Sequence, residues 1–146
     1  MAISSSTVTT SFKTQVLQGT HNFTASSGDT FKIALYTNSS SLAASTATYG
    51  DGTATNEVSG SGYSAGGNTL TSVTPVADGT TAVCDFADTS WTSATITAYG
   101  ALIYNSSESN KSVCVLNFGG DKTCTSGTFT IQFPTADASN AILRLA

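Results

Sequence analysis

Residues 30–37 read TFKIALYT, and their side chains alternate: Phe31, Ile33 and Leu35 fall on one side of an extended chain, Lys32, Ala34 and Tyr36 on the other. A period of two is the pattern of a half-buried β-strand, because successive side chains of a strand point to opposite faces of the sheet. The first set is the predicted core face. Further strand candidates are NTLTSVTP, TTAVCDF, the long TSATITAYGALIYN, KSVCVLNF, TFTIQF and NAILRLA. Turn signals punctuate them at Asp78-Gly79, Asn105-Ser106-Ser107, Gly119-Gly120-Asp121 and Ser126-Gly127. Short strands separated in this way predict a mainly β protein, an antiparallel β-sandwich or jelly-roll-like domain. Gly100 interrupts the longest candidate, which suggests a bulge or bend that lets one strand serve both sheets. The apolar AILRLA end is predicted to be tied into a sheet.

The N-terminal part follows another pattern. SFKTQVLQG spaces Phe12 and Val16 four apart, with Ser11 placed to cap a helix and Gly19 to end it. One short helix is expected there. Met1–Thr10 is polar and β-branched, without apolar periodicity, and is expected to be a mobile extended arm whose removal leaves the melting temperature unchanged. The predicted organisation is an arm and short helix over 1–29 and a β-sandwich domain over 30–146.

Composition narrows the function. At 146 residues the chain suits one domain with its own core. Charged residues reach only 10%, against roughly a quarter in ordinary proteins, while Ser and Thr make up about a third. Threonine is expected to form the solvent faces. A net charge of −4 and five scattered basic residues leave no patch to neutralise phosphates, so no direct nucleic-acid binding is expected. No stretch approaches the roughly 18 apolar residues of a membrane helix, and no secretion signal is visible, so no membrane partner and synthesis in a cytoplasm are expected. Cys84, Cys114 and Cys124 are widely spaced and odd in number, which suggests reduced thiols rather than a disulfide framework or a zinc site.

Chemistry has few places to reside. EVSGSGYSAGGN, residues 57–68, is glycine-rich but lacks the preceding strand, the following helix and the register of a dinucleotide loop. The single histidine, His21, has no nucleophile elbow to serve and reads as a surface or capping residue. Asp85 and Asp88 are the closest acidic pair, a weak candidate for glycoside hydrolysis against the plainer reading of Asp88 as a turn residue. Trp91, Tyr63, Tyr99 and Tyr104 offer a possible sugar-stacking platform, although aromatic residues on strands usually belong to cores. No catalytic residue, cofactor or metal ligand is assigned, and no enzyme activity is expected.

EVSGSGYSAGGNTLTSVTP resembles a segment of small virion proteins of tailed bacteriophages, of the form N-E-V-S-G-x-G-Y followed by glycine and a strand. FKIALYT, FADTSWTSATITAYGALIYN and DKTCTSGTFTIQFPTADASNAILRLA are similar to further blocks of that family, in the same order. Together they cover most of residues 11–146. The resemblance implies a capsid decoration (cement) protein on the virion surface, made in the host cytoplasm. Its partners would be the major capsid protein lattice and itself, a trimer being favoured. A carbohydrate- or receptor-binding module of a tail or fibre remains the alternative. On either reading Glu57–Gly67 is a surface loop whose glycines allow close approach to a neighbour, with Tyr63 as its anchor. The candidate protein-contact residues are therefore Phe12, Gly60, Gly62, Tyr63, Gly66 and Gly67.

Overall fold

The computed structural model describes residues 3–146. Its elements are β1 (Thr7–Val8), α1 (Thr10–Leu17), β2 (Phe31–Tyr36), β3 (Asn68–Thr69), β4 (Ser72–Asp78), β5 (Thr81–Phe86), β6 (Thr89–Asn105), β7 (Lys111–Ile131) and β8 (Leu143–Leu145). They form two antiparallel sheets, a five-stranded one in the order β1-β7-β6-β2-β3 and a three-stranded one in the order β4-β5-β8. The fold is mainly β and sandwich-like, with one short helix.

β2 departs from the half-buried expectation in an informative way. Phe31, Ile33 and Leu35 enter the larger core, which also holds Phe86 and Leu143 from the smaller sheet. Ala34 and Tyr36, expected on the solvent face, are 0% exposed. They enter a second core with Ile3, Leu42, Leu102, Tyr104 and Val115. The larger sheet is therefore covered on both faces, and the second cover is irregular chain, which leaves no periodic signal.

β7 corrects the strand count. KSVCVLNF and TFTIQF, predicted as separate strands, belong to one strand paired with β6 almost throughout. The intervening turn signals became bulges. Between the Ala98–Lys122 and Gly100–Asn117 pairs β7 carries the excursion through Phe118-Gly119-Gly120-Asp121. Gly119 has φ +74° and Ser126 φ +48°, so the left-handed conformations of turns are present but absorbed within a ladder. Gly100 also sits at a register shift, yet β6 stays within the larger sheet. A Cβ there would meet the Ile3 side chain and the Leu116 carbonyl, so the glycine makes room for the N-terminal segment.

That segment is extended as expected but is not loose. Ile3 is 1% exposed, Thr7 and Val8 pair with Val115 and Cys114, and Asn117 Nδ2 donates to the Ile3 carbonyl at 2.9 Å. A lone isoleucine carries no periodicity, so its anchoring escaped the sequence reading. Met1 and Ala2, which the arm also included, lie outside the described residues.

α1 forms close to where it was predicted. It closes with a Schellman arrangement: Thr20 N–H donates to Gln15 O at 2.9 Å and Gly19 N–H to Val16 O at 3.1 Å, with Gly19 at φ +72°. The cap position belongs to Thr9 rather than Ser11. The Thr9 hydroxyl is turned away to the Val113 carbonyl at 3.2 Å, stitching the helix start to β7. Phe12 and Phe23 share the larger core with β2, so residues 3–29 and the β-domain are packed around common apolar groups. β8 pairs with β5, which ties AILRLA into the smaller sheet as expected.

Candidate protein-contact surface

The glycine-rich stretch is organised around one carboxylate. Glu57 Oε1 accepts hydrogen bonds from Tyr63 OH and from Gly66 N–H, both at 2.7 Å, and Oε2 accepts from Tyr49 OH at 2.8 Å. Tyr63 OH in turn accepts the Leu35 N–H at 2.9 Å, and Tyr104 OH donates to the Gly66 carbonyl at 2.8 Å. Tyr49 and Tyr104 stack with ring centroids 4.6 Å apart. Burial above all, then the bond to Glu57, pushes the Tyr49 phenol up to about 12. Burial likewise raises Tyr63 and Tyr104 well above the ordinary tyrosine value. These phenols stay protonated at any physiological pH, so Tyr49 and Tyr63 remain donors to the carboxylate and Tyr104 to the Gly66 carbonyl.

The glycines do permit close approach, and the surface approached is the chain's own. At Gly67, φ +70°, a Cβ would lie 2.6 Å from the Ile33 carbonyl carbon. At Gly62, φ +78°, it would lie 2.7 Å from Ala94 Cα. Gly60 is held against the Thr95 carbonyl beside the Ser61–Thr95 bridge, and Gly66 is fixed by Glu57 and Tyr104. Ser59–Gly62 and Ser64–Ala65 still face outward. Tyr63 is half-buried and tilts onto Trp91, with ring centroids 5.8 Å apart. Phe12 is 6% exposed, so its ring is a core group that stands 4.9 Å from the His21 ring. The six predicted contact residues thus divide into a clasped loop and a remote core phenylalanine.

The remaining chemical candidates occupy internal posts. Trp91 and Tyr104 are buried at 4% and 2% exposure, which removes the largest rings from any platform for sugars. Asp85 Oδ1 accepts the Phe86 N–H at 2.8 Å, and Asp88 Oδ1 accepts the Phe133 N–H at 2.9 Å. Asp88 therefore fastens the end of β7 rather than starting a turn of its own. His21 is half-buried and bonded at both ring nitrogens. All three cysteines are free, and burial pushes the Cys84 thiol up to about 11 and the Cys114 thiol up to about 12. Among the described residues no cluster of potential metal ligands occurs, and no helix is long and apolar enough to cross a membrane.

An open surface lies elsewhere, along β7. β1 covers the side of β7 away from β6 only at Cys114 and Val115. From Phe118 to Ile131 that edge has no strand partner among the described residues. Beside it opens a cleft of about 510 Å³, lined by Leu116, Phe118, Phe129, Ile131 and Phe133 with Lys122 at its side. The only ion pair among the described residues is Lys111–Glu108 at 4.0 Å, so Lys122 is unpaired there. A row of free backbone donors and acceptors next to an apolar cleft is suited to receive an extended chain. Sequence reasoning placed Phe129, Ile131 and Phe133 on a strand but gave them no site. Their alternation along TFTIQF was the available signal, and the absence of a covering partner is visible only in three dimensions.

Compared with protein-family models, with curated proteins and with solved structures, the chain finds no match in any of the three.

Proposed function

We propose that this chain is a structural protein of a tailed-phage virion, a capsid decoration (cement) protein that binds the outer face of the major capsid protein lattice and stabilises the head. The observation that carries the reading is the open edge of β7 with its apolar cleft. It is a surface fitted for protein, on a domain where Glu57, Asp88, His21, Tyr49 and Tyr63 are engaged in bonds within the chain. The ordered sequence blocks that resemble decoration proteins support the same reading. Under it the protein acts by mass action: a ligand that binds the assembled shell and not its dissociated subunits stabilises the shell by RT ln(1 + [L]/Kd). The reading gives Asp85, Asp88 and His21 no catalytic role and calls for no cofactor. The tail or fibre carbohydrate-binding alternative is weakened, because Trp91 and Tyr104 are core residues.

The test is to mix the purified protein with undecorated, expanded heads and measure co-sedimentation and the temperature at which the heads rupture. Saturable binding with a raised rupture temperature is expected. Lys122→Glu, at an exposed position beside the cleft, should weaken binding without moving the melting temperature of the free protein. Failure to bind heads, together with binding on a glycan array, would replace this reading with the carbohydrate one.

A further inference from the structure

Gln15, His21, Asn105 and Asp29 form one chain of side-chain hydrogen bonds from α1, through residues 19–30, to the end of β6. Asn105 is 0% exposed, and its surroundings assign every hydrogen. Its Oδ1 accepts the Ser107 N–H at 3.0 Å, so Nδ2 carries both donors. One donates to Asp29 Oδ2 at 2.7 Å. The other meets His21 Nδ1 at 3.0 Å, which must therefore accept. The ring proton then belongs on Nε2 and is donated to Gln15 Oε1 at 2.8 Å. Asp29 Oδ2 also accepts the Asn22 N–H at 2.8 Å, closing the loop between them. Thr30 N–H donates to Ser107 Oγ at 2.9 Å, and Ser106 N–H to Thr30 O at 2.9 Å, which fastens the same segment to the turn between β6 and β7.

We propose that this chain is an acid-sensitive latch, in which neutral His21 holds residues 19–30 shut against the β6–β7 turn and protonation at Nδ1 releases them. A proton on Nδ1 would set an N–H against the Asn105 N–H. A bond would become a donor–donor contact, and a donor of a fully buried amide would lose its partner. The ring also lies among Phe12, Phe23 and Phe31, with centroids at 4.9, 6.3 and 6.4 Å, an environment that disfavours charge. Burial is the largest influence and draws His21 below its ordinary value of 6.5. Asp29 and Glu108 act in the opposite sense, and Lys111 adds to the lowering.

The direction of the pH effect follows. The latched form has the lower pKa, so the open form takes up the proton first. The advantage of the latched form is complete above pH 6.5 and is lost as pH falls from there through the latched-state value. Each unit between the two pKa values multiplies the opening equilibrium by about tenfold. His21 is the single histidine of the chain, so one imidazole accounts for the transition.

NMR of the nitrogen-15-labelled protein tests this. At neutral pH the His21 ring is expected as the Nε2–H tautomer. On acidification from about pH 7 to about pH 5 the Asn105 side-chain amide should shift with the same midpoint as the ring, below the ordinary histidine value. Hydrogen-exchange protection at Asn22, Asp29 and Thr30, corrected for intrinsic rates, should fall with that same midpoint while Ile33 and Leu102 hold theirs. His21→Gln keeps an acceptor for Asn105 but cannot titrate, and should retain protection at the lower pH. An Nδ1–H tautomer, a midpoint at or above the ordinary value, or equal loss of protection in the glutamine variant would overturn the latch. If that variant does not fold, the wild-type tautomer and the coincidence of midpoints decide the matter.

Discussion

Glu57 shows how much a single side chain organises here. Its carboxylate accepts three hydrogen bonds that together fix Tyr49, Tyr63 and the backbone at Gly66. Bonds to a charged acceptor are the stronger kind, and removing a partner leaves the other side unsatisfied. Tyr63→Phe is therefore expected to lower unfolding stability by about 1.5–3 kcal/mol, since both the Glu57 bond and the acceptor for the Leu35 N–H are lost. Urea denaturation measures it, and a change below about 0.5 kcal/mol, the range of neutral surface substitutions, would mean that the clasp contributes little. Gly67→Ala should be more damaging than Tyr63→Phe, because the new methyl would enter the Ile33 peptide unit at a left-handed position. Hydroxyl groups were expected on solvent faces, and exposed Thr97 and Thr123 do pair there at 2.9 Å. Others lie inside: Ser112 Oγ donates to Thr46 O at 2.7 Å and lies 2.8 Å from Thr9 Oγ1, joining the N-terminal segment, a loop and β7 in one buried knot.

Among the elements, the N-terminal segment departs furthest from expectation and supplies the sharpest prediction. Ile3→Ala should cost about 2–5 kcal/mol, as for other buried isoleucines, and deletion of residues 1–9 should cost more because β1 goes with it. Thermal melts of both forms check this; an unchanged midpoint for the deletion would restore the mobile arm. The strands were legible wherever one face is wetter than the other, as along β5 and around Ala94, Ile96 and Ala98 of β6, because alternation records that difference. α1 was legible from Phe12, Val16 and Gly19, whose spacing and left-handed stop act within the helix itself. Bulges were misread as turns at Gly119-Gly120 and Ser126-Gly127, since the local conformation is the same and only the partner strand distinguishes them. The glycine stretch was recognised as a place of close approach, but which surface it approaches depends on β2 and β6, far along the chain. The cleft beside β7 left no trace beyond the alternation of TFTIQF, because a groove is made by what fails to cover it.

At the scale of the whole molecule, few charges and a long open edge favour contact between copies. Only 10% of residues are charged, so electrostatic repulsion between copies is weak, and the β7 edge offers unpaired backbone groups. On the proposed reading as a decoration protein, which would sit at symmetric positions of a shell, a trimer is expected in solution. Light scattering of the isolated protein, set beside its copy number per head, checks this; a monomer in both settings would exclude it. The seat of Ile3 has a consequence of another kind. Its carbonyl is held by Asn117, 114 positions away along the chain, and its side chain fills the space that Gly100 leaves open. A ribosome adds roughly 5–20 residues each second, so this early residue waits several seconds for the strands that receive it. Closing so large a loop is a slow, non-local event. Folding of this chain should therefore finish at the Ile3 segment, which is made before the strands that receive it.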